Sequence, residues 1–268
     1  MSTRHHWSDV VWEDPDGGRM VLHGTLPTVV YPNPLRPRDT GHGLALLESH
    51  DVVDLWVQEE TDEAESPGVN FDFGLVSGGV FGRYLEGLSM LDDLQVGSYP
   101  DPEPRRLHRN AERRDRPVYF IEPLADDTDW SEFLTREAKA VSHWRKLLAM
   151  VRTGKRWKQY LKGHFLEAKR PPKGLPADLS SADVLASTWW SFTQWLSTPE
   201  LNEQRDRRYA RRLRGALADL RATHGKDATL LVVHHLPHRA ALMGALGDLP
   251  EVEEISSTPT ETPPQEEE

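Results

Sequence analysis

The 268-residue chain contains no cysteine. Disulfide bonds, thiolate catalysis and metal centres with cysteine ligands are therefore excluded. The chain also has no stretch of about 18 apolar residues, which is what a helix needs in order to span a bilayer. Its first residues, MSTRHHWSDVVWEDPDGG, include no apolar segment of the kind that a signal peptide has. Together these absences predict a cytoplasmic protein without a membrane span.

Positively charged residues are fewer than negatively charged ones. Lys and Arg number 32 against 43 Asp and Glu, which gives a formal net charge of -11. An acidic surface is repelled by a nucleic-acid backbone and by an anionic membrane, so we expect neither as the main partner. Hydrophobic residues make up 37% of the chain and include nine Trp, which is enough for the core of a folded domain.

Apolar runs and helical periodicity alternate along the chain. Runs typical of strands occupy 20–23, 52–58, 117–124 and 228–233. Helical patterns are found at 43–49 (a helix end), 81–90, 128–151, 156–169, 180–196, 199–224 and 239–246. The charged, proline-containing stretch 100–116 is typical of an exposed loop.

Strands that alternate with helices predict an α/β fold, with a mostly parallel sheet and helices on its faces. The run of helices at about 128–196 is interpreted as a helical block inserted into this domain. We therefore expect an N-terminal extension at 1–18, one α/β domain at 19–255, and a disordered acidic tail at 256–268.

Polar side chains follow three of the predicted strands. His235 follows the strand at 228–233, Glu59 follows the one at 52–58, and His23 ends the one at 20–23. Ligands of parallel sheets bind outside the carboxyl ends of the strands, so these residues are candidates for a site. A neutral imidazole there is suited to bind a metal or to act as a base, and a carboxylate is suited to both tasks.

Each candidate also has an interpretation without function. His235 and its neighbour His234 alternate across the strand, so one would cover the core and the other face water. Glu59 begins an acidic run, and such runs usually lie in solvated loops. Arg205 lies in an arginine-rich helix, where most side chains face water, although such a cluster can also bind phosphate or carboxylate.

Several short motifs, taken in order, resemble the TraB/GumN family, which includes the Tiki proteases. That family has a strand running into a Gly-Thr-Ala-His turn, a strand ending in a Val-Glu-Leu-Asp type motif, and later a helix with Glu-Arg-Asp/Asn before a Gly-x-x-His-Leu-Pro-Gly turn. The similar stretches here are Val21–Pro27, Leu55–Glu60, Phe120–Pro123 with Phe133–Arg136, Gln204–Asp206 with Tyr209, and Val232–His238.

The resemblance implies metal-dependent hydrolysis that uses His and Glu from these turns. It makes His235, Glu59 and His23 candidate ligands of a divalent metal (Mn, Co or Zn), with Glu59, His235 and Arg205 as the catalytic set. Arg205 would stabilise developing negative charge. In this chain, however, Pro27 stands where the family has its first His, and Val232 replaces a Gly.

The missing His favours a divergent TraB-like domain that binds a peptide or a partner protein through a degraded active site. The alternative is an active metal-dependent hydrolase of the peptidase or esterase type. A third interpretation is a structural or regulatory α/β domain without a small-molecule site.

Overall fold

The computed structural model describes residues 7–37, 41–144, 146, 148 and 153–257. Within these residues, five strands form one sheet with the order β1-β2-β5-β3-β4. β1 pairs with β2 antiparallel, and the other three pairs are parallel. The strands are β1 (Val10–Glu13), β2 (Arg19–Thr25), β3 (Gly43–Leu46), β4 (Val118–Phe120) and β5 (Thr229–His235).

Helices connect the strands and cover the sheet. They are α1 (Val52–Glu65), α2 (Val69–Ser77), α3 (Val80–Leu88), α4 (Pro102–Glu112), α5 (Thr128–Val141), α6 (Thr153–Glu167), α7 (Asp178–Leu196), α8 (Pro199–His224) and α9 (Arg239–Gly247). The α/β class and the mostly parallel sheet are therefore confirmed. Among the described residues, no helix combines the length and the apolar character needed to cross a bilayer.

β5 lies at the centre of the sheet because its residues are apolar on both faces. On one face Leu230 and Val232 pack in a core with α8 residues such as Leu213 and Leu217. On the other face Leu231 and Val233 pack in a core with Trp56 of α1 and Leu107 of α4. A third core joins α3, α6 and α7 and includes Leu26 and Leu236, which follow β2 and β5. The third core therefore places α7 beside the carboxyl ends of these strands.

The long helix α8 begins and ends where its sequence predicts. The Thr198 hydroxyl accepts a hydrogen bond from the Leu201 backbone N–H at 3.3 Å, and Pro199 occupies the first turn. The helix stops at Gly225, whose φ of 61° lies in the left-handed region. β5 and the turn at His235 follow directly, so the predicted helix, strand and turn are confirmed.

The predicted strand at 52–58 is wrong, because these residues begin helix α1. Only Trp56 of the run is buried, whereas Leu55 and Val57 are 54% and 51% exposed. One buried side chain per turn is a helical pattern. The apolar residues on both sides of Trp56 are typical of a buried strand, but helix-favouring Gln, Glu and Ala residues extend the helix to Glu65.

Two other predictions of secondary structure, at 43–49 and at 100–116, are also wrong. The helix end at 43–49 is strand β3, whose four residues are all buried. The exposed loop at 100–116 contains helix α4, which starts with Pro102 and buries Leu107 and Ala111. Proline in the first turn starts a helix without disturbing it, so it was not a sign of irregular structure here.

The helices of the predicted block at 128–196 contribute to two different cores. Trp130 and Phe133 of α5 belong to the core between α8 and the sheet. Trp157 of α6 and Phe192 of α7 belong to the core beside the strand ends. The range 1–18 contains β1, which is part of the sheet. Of the predicted tail at 256–268, residues 258–268 lie outside the described residues.

Candidate functional site

Four polar residues form a row across the carboxyl edge of the sheet. Thr25 of β2 pairs in register with His235 of β5. Leu46 of β3 pairs with Val233 and with Phe120. His235, Glu48 and Glu122 each lie two positions after one of these three paired residues, Val233, Leu46 and Phe120. The Glu122 backbone N–H donates to the Glu48 carbonyl oxygen at 3.1 Å, which continues the pairing past the strand ends.

This row, which we call the strand-end row, forms one side of a pocket of about 290 Å³, which we call the strand-end pocket. Helices α7 and α8 and the turn after β5 form the rest of the wall. The lining residues are Thr25, Leu46, Leu47, Glu48, Pro104, Glu122, Trp189, Trp190, Thr193, Arg205, Tyr209, Val233, His234, His235 and His238.

The two glutamates of the row hold their protons more tightly than usual. Burial and the neighbouring Glu122 charge raise the pKa of Glu48 to about 7. Burial also raises the pKa of Glu122, although a hydrogen bond from the Tyr209 hydroxyl at 3.0 Å works in the opposite direction. Glu48 therefore changes its charge near neutral pH, which is the property of an efficient proton-transfer group.

His235 is neutral at physiological pH. Burial, followed by the nearby His238, lowers the pKa of His235 to about 4. Its ring meets the indole of Trp189 edge to face, with 5.4 Å between the ring centroids. A neutral imidazole offers one N–H donor and one acceptor to a ligand in the pocket.

Asp206 holds two of the lining side chains with a single oxygen. Its Oδ1 accepts from Arg205 Nε at 3.1 Å, from Arg205 Nη2 at 3.0 Å and from His238 Nε2 at 2.9 Å. Burial opposes ionisation of Asp206, but the bonds from His238 and Arg205 prevail and lower its pKa. The indole of Trp190 lies 5.3 Å from the Arg205 guanidinium and 4.6 Å from the His238 ring. Arg205 is thus fixed in orientation.

The pocket contains two of the four residues predicted as a site. His235 and Arg205 both line it. Glu59 lies on α1 and is not a lining residue, since the strand predicted to precede it is a helix. His23 is 2% exposed and is not a lining residue. Its Nδ1 bonds to Asp9 Oδ1 at 2.8 Å, and its Nε2 has no hydrogen-bond partner among the described residues. The pocket lining therefore includes His235 and Arg205 but neither Glu59 nor His23.

Four lining residues are absent from the set that the sequence predicts: Glu48, Glu122, Tyr209 and His238. Glu48 follows the short apolar run 43–47, which is a strand signal ending in a carboxylate. Glu122 and Tyr209 belong to the motifs that carry the TraB/GumN resemblance, so those motifs could have indicated them. His238 also belongs to one of these stretches, Val232–His238, but its bond to Asp206, which lies 32 positions earlier in the chain, could not be predicted from that motif.

The divalent metal implied by that resemblance does not fit these residues. The proposed ligands His23, Glu59 and His235 do not converge, because only His235 lines the pocket. Within the part of the chain that the structure describes, no three His, Asp or Glu side chains are grouped as metal ligands. We therefore derive no step through a metal.

Asp101, which precedes α4, is expected to make the stability of the fold depend on pH. Burial and the nearby Glu48 raise the pKa of Asp101 from 3.8 to about 8. The folded state therefore binds a proton that the unfolded chain has released, and stability falls as the pH rises from about 4 to about 8. We expect Asp101→Asn to reduce this loss by about 4 kcal/mol between pH 5 and pH 9. Urea unfolding at both pH values measures it.

The exposed Asp92 provides the control for this measurement. Asp92→Asn should leave the pH dependence unchanged. If Asp101→Asn shows the same slope as the unsubstituted protein, then Asp101 is ionised in the folded state and the prediction fails.

Comparison of this chain with protein-family models, with curated proteins and with solved structures finds no match.

Proposed function

We propose that this protein is a hydrolase of ester or amide bonds that works by acid–base chemistry in the strand-end pocket. One observation supports the proposal above all others. His235, Glu48 and Glu122 follow three adjacent parallel strands and line one pocket together with Arg205. Parallel sheets bind substrates at this edge, and these side chains provide a base and an anion-binding group.

In this mechanism Glu48 removes a proton from a water molecule that attacks the substrate carbonyl carbon. A carboxylate whose pKa is about 7 is well matched to this task at neutral pH. The carbonyl oxygen becomes an oxyanion, and the protonated Glu48 then gives its proton to the leaving oxygen or nitrogen. Glu122, which accepts from Tyr209, keeps the pKa of Glu48 high by its charge.

Arg205 and His235 are the groups suited to stabilise the oxyanion. Arg205 Nε and Nη2 are bound to Asp206, and Nη1 has no hydrogen-bond partner among the described residues. The neutral His235 offers one N–H. Donors that are already oriented stabilise developing charge without reorganisation, and removing one typically costs about 10²–10³-fold in kcat.

We also propose that the chain is a divergent, cytoplasmic relative of the TraB/GumN proteins. Glu48, rather than Glu59, then takes the place of the Glu in the strand-end motif, since Glu48 follows a strand and Glu59 does not. Arg205 and His235 keep the places of the family Arg and second His.

A second candidate function is the binding of a peptide or partner protein without chemistry. The ion pair of Arg205 with Asp206 favours it, because that carboxylate offsets the charge that would stabilise an oxyanion. Pro27, which replaces the first family His, favours it as well.

Hydrolysis of nitrophenyl esters and aminoacyl nitroanilides by the purified protein separates the two candidates. We expect kcat/KM to rise with pH through an apparent pKa of about 7, because Glu48 of the free protein must be ionised to act as the base. Added EDTA should not abolish it. If the unsubstituted protein turns over these substrates no faster than a double variant with Arg205→Ala and His235→Ala, the hydrolase is rejected and binding remains as the function.

A further inference from the structure

One hydrogen-bond acceptor on a lining residue has no donor among the described residues. His234 lines it and is 2% exposed. Its Nδ1 lies 2.8 Å from the His235 carbonyl oxygen, which can only accept, so Nδ1 carries the proton. His234 Nε2 is then an acceptor, and it has no partner among the described residues. A buried acceptor without a donor is costly, so a ligand that brings donors is favoured.

The charges that face the pocket are predominantly negative. Glu48 and Glu122 contribute two carboxylates. The charge that raises the pKa of Glu48, after burial, is that of Glu122, whereas the Arg205 charge acts on Glu122. The guanidinium of Arg205 is paired with Asp206. Burial lowers the pKa of His235 to about 4 and that of His234 well below its ordinary value, so neither adds a positive charge at neutral pH. The remaining imidazole, that of His238, faces Asp206.

Apolar surface lies beside these acceptors. Trp189, Leu47, Val233 and Pro104 line the same pocket. Indole rings attract cations through their faces as well as covering apolar groups. The pocket therefore combines a negative end with an apolar wall within about 290 Å³, which is the size of a small molecule or of one or two residues of a peptide.

We propose that the ligand of the strand-end pocket carries a protonated amine, which pairs with Glu122 and Glu48 while its apolar body packs against Trp189. The proposal rests on the proposed function, for which it names the substrate class: amino esters, amino amides or the amino end of a peptide. An ammonium group donates three hydrogen bonds and offsets the repulsion between the two carboxylates.

Amine binding also has a consequence for catalysis. A positive charge beside Glu48 favours its ionised form, so binding near pH 7 releases a proton from Glu48. The base of the proposed reaction is then generated by the substrate itself. A neutral ligand in the same place would leave Glu48 partly protonated.

Three probes of nearly equal shape test the charge preference: 2-phenylethylamine, 2-phenylethanol and 3-phenylpropanoate. Their dissociation constants are measured at pH 7 by calorimetry in two buffers with different ionisation enthalpies. We expect the amine to bind at least about tenfold more tightly than the alcohol, with proton release, and the carboxylate to bind most weakly. Equal or tighter binding of the alcohol or the carboxylate, or no binding of any probe, overturns the proposal.

Substitutions of the two glutamates test where the amine of the ligand binds. Glu122→Gln and Glu48→Gln should each remove most of the preference for the amine over the alcohol. Glu59→Gln, which changes a carboxyl outside the pocket, should keep it. Thermal unfolding of each variant shows that it is folded. A preference that survives in both folded pocket variants overturns the proposal, and so does stoichiometric binding of MnCl₂ or ZnCl₂ that excludes the amine.

These binding measurements do not depend on turnover. If neutral esters are hydrolysed as well as amine-bearing ones, this inference is rejected and the proposed hydrolase function stands. Amine binding without any hydrolysis would reject the hydrolase and keep the ligand class of the pocket.

Discussion

Glu48→Gln is expected to lower the kcat of hydrolysis by about 10²–10⁴-fold, which is the usual contribution of a general acid–base group. Gln has nearly the shape of Glu but cannot accept the proton of the attacking water. The loss should be largest above pH 7, where Glu48 of the unsubstituted protein is ionised. The rise of the rate through pH 7 should also vanish from the pH–rate profile, because the group that causes it is gone.

Glu59→Gln is a matched control for this experiment. Burial and the neighbouring Glu63 also raise the pKa of Glu59 to about 7, but this residue lies on α1 outside the pocket. Its substitution should leave kcat and the pH–rate profile unchanged. If both variants lose activity equally, the effect comes from overall charge or stability. If only Glu59→Gln loses it, then the base has been assigned to the wrong carboxyl.

Arg214→Leu is expected to lower the free energy of unfolding by about 3–5 kcal/mol, because it leaves a buried charge without its partner. Arg214 Nε donates to Asp14 Oδ2 at 2.9 Å, and its Nη1 donates to the Pro250 carbonyl oxygen at 2.6 Å. The Asp14 side chain is 0% exposed. Arg221 Nη1 lies 3.6 Å from Asp14 and is already bonded to Gly17, so it is a poor substitute.

Denaturant unfolding measures this loss of unfolding free energy, and two further variants show where it comes from. Arg207 is exposed on the same helix, so Arg207→Leu should change the free energy of unfolding by about 0.5 kcal/mol or less. Adding Asp14→Leu to Arg214→Leu should recover part of the loss, because the unpaired carboxylate is then removed. A loss below about 1 kcal/mol in Arg214→Leu would show that Asp14 finds water or another partner.

Local signals are sufficient where neighbouring residues determine the structure. The start of α8 at Thr198 and Pro199, its end at Gly225 and the apolar run of β5 are each fixed in this way. From these signals alone, the sequence predicts that His235 lies at the carboxyl edge of the sheet. The match of Arg205 to a family motif predicts its place in the site, and the structure puts both residues in one pocket.

The other half of the site depends on contacts that local patterns do not contain. The run around Trp56 has the composition of a strand, and its helical character comes from burying one side only. The prediction of Glu59 as a site residue depends on that strand, so it fails together with the strand. Glu48 follows only four strand residues, and its pKa depends on Glu122, which lies 74 positions further along the chain but on the neighbouring strand.

The position of β5 has a consequence for how the chain acquires its fold. β5 is the last of the described strands, yet it lies between β2 and β3 and joins the β1-β2 pair to the β3-β4 pair. During synthesis the first 228 residues can form two separate strand pairs, each with an open edge. The sheet closes only after residues 229–235 have left the ribosome, so the strand that carries His235 also completes the fold.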